Sequence, residues 1–119
     1  MKPLRVLHVI PSMGMGGAER MVVDLIRTLS PAIDFHVCCV ESAQWYYDTP
    51  PLRPPAELEH RGTWRSPVAL RKTVKRLRGV ISDFSPDVIH SHLWFADFVV
   101  ALANKERLPH IVHFHDTCK

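Results

Sequence analysis

Two kinds of residue cluster in this chain could do chemistry. The first is glycine, in "HVIPSMGMGGAER" (His8–Arg20), where Gly14, Gly16 and Gly17 lie between an apolar run and a helix-like pattern. A glycine-rich turn that leaves a strand and opens a helix presents backbone N–H groups at the positive end of the helix dipole. That is a seat for a phosphate or another anion. Gly16 and Gly17 would let the anion reach those amides without meeting a Cβ, although a tight turn alone is a second use for the same residues. The second kind is histidine, in His90-Ser-His92 and His113-Phe-His115-Asp116. Alternation along a strand puts both imidazoles of each pair on one side, a spacing that also suits metal ligands.

The anion is not specified by a familiar nucleotide motif. A dinucleotide fingerprint needs a third glycine where Glu19 stands, and the Walker pattern needs Lys followed by Ser or Thr after the glycines. A metal-dependent hydrolase built on the histidine pairs is the rival enzyme reading, and it leaves the glycine turn unexplained.

The elements that must carry these residues alternate between extended and helical. Leu4–Ile10 is short, β-branched and bounded by Pro3 and Pro11, as a buried strand should be. From Ala18, the apolar residues Met21, Val22, Leu25, Ile26 and Leu29 recur at helical spacing until Pro31, with Arg20, Asp24 and Arg27 on the other face. Phe35–Val40 is a second strand. The stretch Trp45–Pro55 is aromatic and proline-rich, so it cannot continue as helix or central strand. A short third strand falls within "ELEHRG". Ser66 and Pro67 then open a helix whose apolar stripe is Leu70, Val74, Leu77, Ile81 and Phe84. "SPDVIHSH" supplies a turn and a fourth strand, Trp94–Lys105 a third helix, and "HIVHFH" a fifth strand. This order calls for a Rossmann-like α/β three-layer sandwich with a mostly parallel sheet and helices on both faces.

In such a sheet, ligands bind beyond the carboxyl ends of the strands, at the point where the strand order reverses. Topology therefore gathers Gly14–Gly17, His90, His92, His113, His115 and Asp116 at one edge. His8 lies inside the first strand and reads as a hydrogen-bonded core residue, and His36, His60 and His110 have no better claim to a site.

Composition narrows the class. The 119 residues are 46% hydrophobic, which suits one domain, and no apolar run approaches the length of a membrane span. The N-terminus lacks a small-residue cleavage site and reads as a strand, not a signal peptide. Three cysteines, two of them adjacent (Cys38, Cys39), suit a reducing cytosol better than a disulfide framework. The net charge is only +3, yet seven of the fifteen basic residues (Arg61, Arg65, Arg71, Lys72, Lys75, Arg76 and Arg78) fall in a stretch without acids. Five of them, Arg71, Lys72, Lys75, Arg76 and Arg78, lie on the helix that Ser66 opens, a basic face for phosphate, an anionic membrane or solvent; without interleaved aromatics it does not read as a nucleic-acid binder.

Taken together, "LHVIPSMGMGGAERMVVDLIRTLS", "PDVIHSH" and "HIVHFHD" resemble the N-terminal half of family-four retaining glycosyltransferases of the GT-B fold. The segments occur in the family's order and the resemblance covers nearly the whole chain. It implies transfer of a sugar from a nucleotide-sugar donor to a glycan or lipid-linked acceptor, in the cytoplasm or at the inner face of the membrane. Gly16 and Gly17 match the glycines whose amides approach the donor diphosphate. His115 matches the histidine beside the reacting sugar, and His92 the one lining the acceptor side. Glu19 and Arg20 match a habitual Glu-Arg pair. Neither a metal nor another cofactor is implied, the nucleotide-sugar being a co-substrate. The family's C-terminal nucleotide-sugar domain, with its Arg/Lys pair and Glu-x7-Glu motif, has no counterpart in residues 1–119. The chain is thus expected to form an acceptor-side domain with an incomplete sheet, folding and binding without catalysing by itself. Trp45–Pro55 departs from the family pattern; it reads first as a disordered or crystal-ordered loop, and second as an acceptor loop with Trp45 as a sugar-stacking platform.

Overall fold

The computed structural model describes residues 3–12, 17–30, 32–41, 53–61 and 65–113. Five strands, β1 (Leu4–Ile10), β2 (Ile33–Cys39), β3 (Ala56–Glu57), β4 (Val88–His92) and β5 (His110–His113), form one sheet in the order β3-β2-β1-β4-β5. Every pairing is parallel. Three helices connect them: α1 (Gly17–Leu29), α2 (Pro67–Phe84) and α3 (Trp94–Ala103). The order runs outward from β1 in one direction and then returns to β4 on its other side, so the reversal falls between β1 and β4. With right-handed crossovers, that reversal sends the helices of the two halves to opposite faces.

The two apolar clusters follow from this. On one face Val6, Ile10, Phe35, Val37 and Cys39 pack against Val22, Val23 and Ile26 of α1. On the other, Leu7, Val9, Cys38 and Ile89 pack against Val74, Leu77, Ile81 and Phe84 of α2 and Ala96, Val99 and Val100 of α3. The sheet is buried on both sides, which is why its strands read as nearly continuous apolar runs. Adjacent Cys38 and Cys39 are both buried and belong to opposite clusters, as strand alternation requires.

The expected elements are present with shifted ends. β2 begins two residues earlier than its apolar run, at Ile33, where β1 offers Leu4 as partner. β3 is a two-residue strand at Ala56–Glu57, overlapping "ELEHRG" only at Glu57. α3 stops at Ala103, where the Asn104 side chain bonds the backbone N–H and C=O of Leu108 and turns the chain toward β5. α2 starts as its sequence dictates: the Ser66 hydroxyl accepts from the Ala69 N–H, and Pro67 needs no partner. It ends at Ser85 in the left-handed region (φ 52°), whose N–H closes the last turn on the Ile81 carbonyl.

The amino-terminal edge of the sheet is closed by charge. Asp34 bridges Arg53 at 2.8 Å and Arg5 at 3.5 Å, and both guanidinium groups lie over the Phe84 ring, at 4.8 and 4.2 Å from its centre. The Arg5 N–H donates to Asp87, joining β1 to the turn before β4. The opposite edge, at the carboxyl ends of the strands, is where the histidines gather.

Candidate functional site

Strand register assembles this edge. His8 on β1 lies directly opposite His90 on β4, and His92 directly opposite His113 on β5. Alternation then puts all four imidazoles on the α1 face of the sheet, astride the reversal point. They form a slab. The ring centres of His90 and His92 are 4.3 Å apart, His8 lies 5.0 and 5.2 Å from them, and His113 5.5 and 5.6 Å. Phe35 of β2 closes the side next to His8 at 5.3 Å.

His8 and His92 are completely buried, and His8 Nδ1 lies 3.0 Å from His92 Nε2. One nitrogen of that pair donates and the other accepts, which two neutral rings can do and two charged ones cannot. Burial, and after it the neighbouring His90, lowers the His8 pKa from 6.5 to about 3, so the ring is neutral at physiological pH. Its Nε2 sits in the interior with no hydrogen-bond partner among the described residues.

The opposite face of β4 carries a second polar group. The Ser91 hydroxyl donates to Asp97 of α3 at 2.5 Å and accepts at 2.7 Å from His110 Nε2, which must therefore bear the proton. Burial lowers the His110 pKa and Asp97 opposes the shift. Serine stands in the middle of this chain and is buried, so it is a clip joining β4, β5 and α3, and not a nucleophile–base arrangement. Between the two groups the backbone turns sharply. Leu93 follows His92 with φ 74° and ψ 151°, a conformation that ordinarily belongs to glycine and costs about 1–3 kcal/mol in other residues. It carries the chain from the buried end of β4 into α3 with no side-chain cap.

Beyond β3 a cavity of about 400 Å³ opens at the same edge, lined by Glu59, Arg61, Lys72, Thr73 and Arg76 among others. Its floor is held by Thr73, which lies 2.6 Å from His60 Nδ1, and by Arg76, which donates to the Leu58 carbonyl at 2.6 Å.

Of the residues singled out from sequence, Gly17 opens α1, with Glu19 in its positive first turn. His90 and His92 lie within the last three residues of β4, and not after it, and His113 ends β5. Gly14, Gly16, His115, Asp116 and residues 45–52 of the proline-rich loop lie outside the described residues. The residue that sequence reasoning missed is His8. Its core position was legible, but its place beside His92, 84 positions away, depends on the β1–β4 register. A lone histidine in the apolar run "LHVIP" carries no signal of its distant partner.

A model of glycosyltransferase family 4 matches residues 15–119, from the glycine turn onward through β2, β3, β4 and β5. The chain belongs to glycosyltransferase family 4. Among curated proteins, this family-4 chain is similar to the capsular polysaccharide biosynthesis glycosyltransferase CapH of Staphylococcus aureus, at 26% identity over 101 residues. That match covers 83% of the chain and 26% of CapH. Among solved structures, it is similar to a UDP-GlcNAc 2-epimerase from Neisseria meningitidis bound to UDP-GlcNAc, with TM-score 0.63 and 18% identity, over 92% of this chain and 31% of the epimerase. The second likeness is one of fold. The chain thus spans about a quarter of the curated relative and about a third of the solved one. No helix among the described residues is long and apolar enough to cross a membrane.

Proposed function

We propose that this family-4 domain is the acceptor-side part of a retaining glycosyltransferase, which moves a sugar from a nucleotide-sugar to a glycan or lipid-linked acceptor. The observation that carries the reading is the family match over residues 15–119, laid on a sheet whose reversal point has the α1 N-terminus and the histidine slab at one edge. The family resemblance assigns Gly16 and Gly17 to the donor diphosphate, whose growing charge their amides would stabilise as the sugar leaves. The acceptor hydroxyl oxygen bonds to the anomeric carbon on the face the diphosphate departs from, and its proton passes to a diphosphate oxygen. The same resemblance assigns His115 to the reacting sugar. His92 belongs to the acceptor side as part of its buried floor, and the cavity beyond β3, with Arg61, Lys72 and Arg76 against Glu59, suits an acceptor bearing negative charge. The reaction so drawn calls for no metal. A nucleotide-sugar donor places it in the cytoplasm, and the basic face of α2 would hold the enzyme at the inner side of an anionic membrane.

The test is a transfer assay on the complete gene product with a panel of nucleotide-sugars, reading product anomeric configuration by NMR. An α-configured donor should yield an α-linked product; an inverted product, or transfer from no donor, overturns the reading. His115→Ala should lower kcat by at least about 100-fold with little change in donor KM, as expected for a group that acts on the transition state.

A further inference from the structure

We infer that His8, His90 and His92 form a binding site for a divalent metal ion of the zinc class, an ion that takes no part in the sugar transfer although His92 also belongs to the acceptor-side floor of that proposal. One ring nitrogen from each of the three lies within 4.8 Å of the others. A tetrahedral zinc site with Zn–N bonds of about 2.0–2.1 Å sets its nitrogens about 3.3 Å apart, so the widest separation must close by about 1.5 Å through ring rotation for the cluster to hold an ion. The His8–His92 approach, at 3.0 Å, is already that short. In the metal-free pair, one nitrogen must turn a proton toward the other; an ion would take the place of that proton and use both lone pairs. With the ion on Nδ1, the His8 proton would sit on Nε2, which has no hydrogen-bond partner among the described residues to hold it in the other tautomer.

The donor set selects the ion. Three imidazoles and no carboxylate suit zinc, cobalt, nickel or copper and fail the oxygen preference of calcium and magnesium. His90 is half-buried, where His8 and His92 are fully enclosed, so it gives the ion its way in and leaves a fourth position for water. The His113 ring stacks against His90 and His92 and limits how far they can swing. Because His8 belongs to β1 and the other two to β4, the ion would clamp the two strands at the reversal point of the sheet.

The test uses Co2+ as a spectroscopic stand-in for zinc, added to the chelator-stripped chain with no sugar donor present. Expected are one equivalent of Co2+ bound with the visible bands of a nitrogen-ligated ion, their loss on adding Zn2+, and a higher unfolding temperature with either metal. His8→Gln and His90→Gln should each weaken Co2+ binding by more than about tenfold, since even outer-sphere partners of ligands are worth about 10–100-fold. His36→Gln, on the opposite face of the sheet, should bind as the parent does. Absence of the bands in the parent chain overturns the inference, and so do bands of equal affinity in the His90→Gln variant. That variant replaces a half-buried ring and decides the matter if His8→Gln does not fold.

Discussion

In the native chain His8 takes no proton until the pH falls to about 3, whereas the same ring in the unfolded chain takes one up near 6.5. Between those values the unfolded state binds more protons, so acid drains stability from the fold; above about pH 7 the effect vanishes. The limiting slope is about 1.4 kcal/mol per pH unit for one such group. The rings facing His8 are Phe35, His90 and His92, and the α1 residues packed on that face (Val22, Val23, Ile26) are apolar, so no acid among the described residues there offsets the shift. His36, lowered by burial and then by Arg53, and His110 act in the same direction. Urea unfolding in chelator at pH 7 and pH 5 should show the parent losing stability on acidification, and His8→Gln losing distinctly less. A parent whose stability is unchanged over that range would mean that water or a counter-charge reaches His8. At this scale the sequence was only partly legible. Alternation announced that His90 and His92 share a face, and the apolar run announced that His8 is buried. Their meeting is set by hydrogen bonding between distant strands, to which no local pattern responds.

α2 shows what local pattern does reveal. The cap at Ser66, the proline after it and the stripe Val74, Leu77, Ile81 and Phe84 are all as the spacing requires, because each depends on neighbours within one or two turns. What spacing could not reveal is where the long basic side chains go. Of the five on α2, Arg76 reaches back to the Leu58 carbonyl, and Arg78 donates to the Leu102 carbonyl at the end of α3. Each satisfies a carbonyl left over by a short strand or a helix end, partners that exist only in the folded molecule. Arg71, Lys72 and Lys75 are the exposed remainder of the five. If α2 docks on anionic lipid, Arg71, Lys72 and Lys75 contribute about 1 kcal/mol each, and Arg76 and Arg78, still charged after bonding a carbonyl, add to them. Co-sedimentation with anionic vesicles should then be weak, fade between 0.1 M and 1 M salt as the Debye length falls from about 10 Å to about 3 Å, and drop sharply in a variant with Arg71, Lys72 and Lys75 changed to Gln. Equal binding to neutral vesicles, or none to either, would leave α2 as a charged solvent face.

At the scale of the whole molecule, alternation of strand and helix was enough to foresee a parallel sheet between helix layers, since a parallel pair needs a crossover long enough to hold a helix. The order β3-β2-β1-β4-β5 was not in the pattern, because strands of equal hydrophobicity can be shuffled without changing it. Yet the order matters to the site: the reversal between β1 and β4 sets the α1 N-terminus and the histidine slab together at the carboxyl edge of the sheet. On the proposed reading, that edge would supply one wall of a reaction site. Enzymes lower barriers by about 8–23 kcal/mol, whereas one well-placed amide toward a developing anion is worth about 2.7–4 kcal/mol. On the proposed reading, two glycine amides and a histidine would supply about 8–13 kcal/mol, only the lower part of that range, and the chain spans 26% of CapH. The remainder would come from groups that grip the nucleotide and hold the sugar in line, and the described residues of this edge form no second wall to do so. The purified 119-residue chain is accordingly expected to give no sugar transfer or donor hydrolysis above the buffer rate, with any nucleotide-sugar, when nucleoside diphosphate release is followed over hours. Turnover at an enzymatic rate, abolished by His115→Ala, would mean that the single edge is sufficient and that the family's second wall is dispensable for this chain.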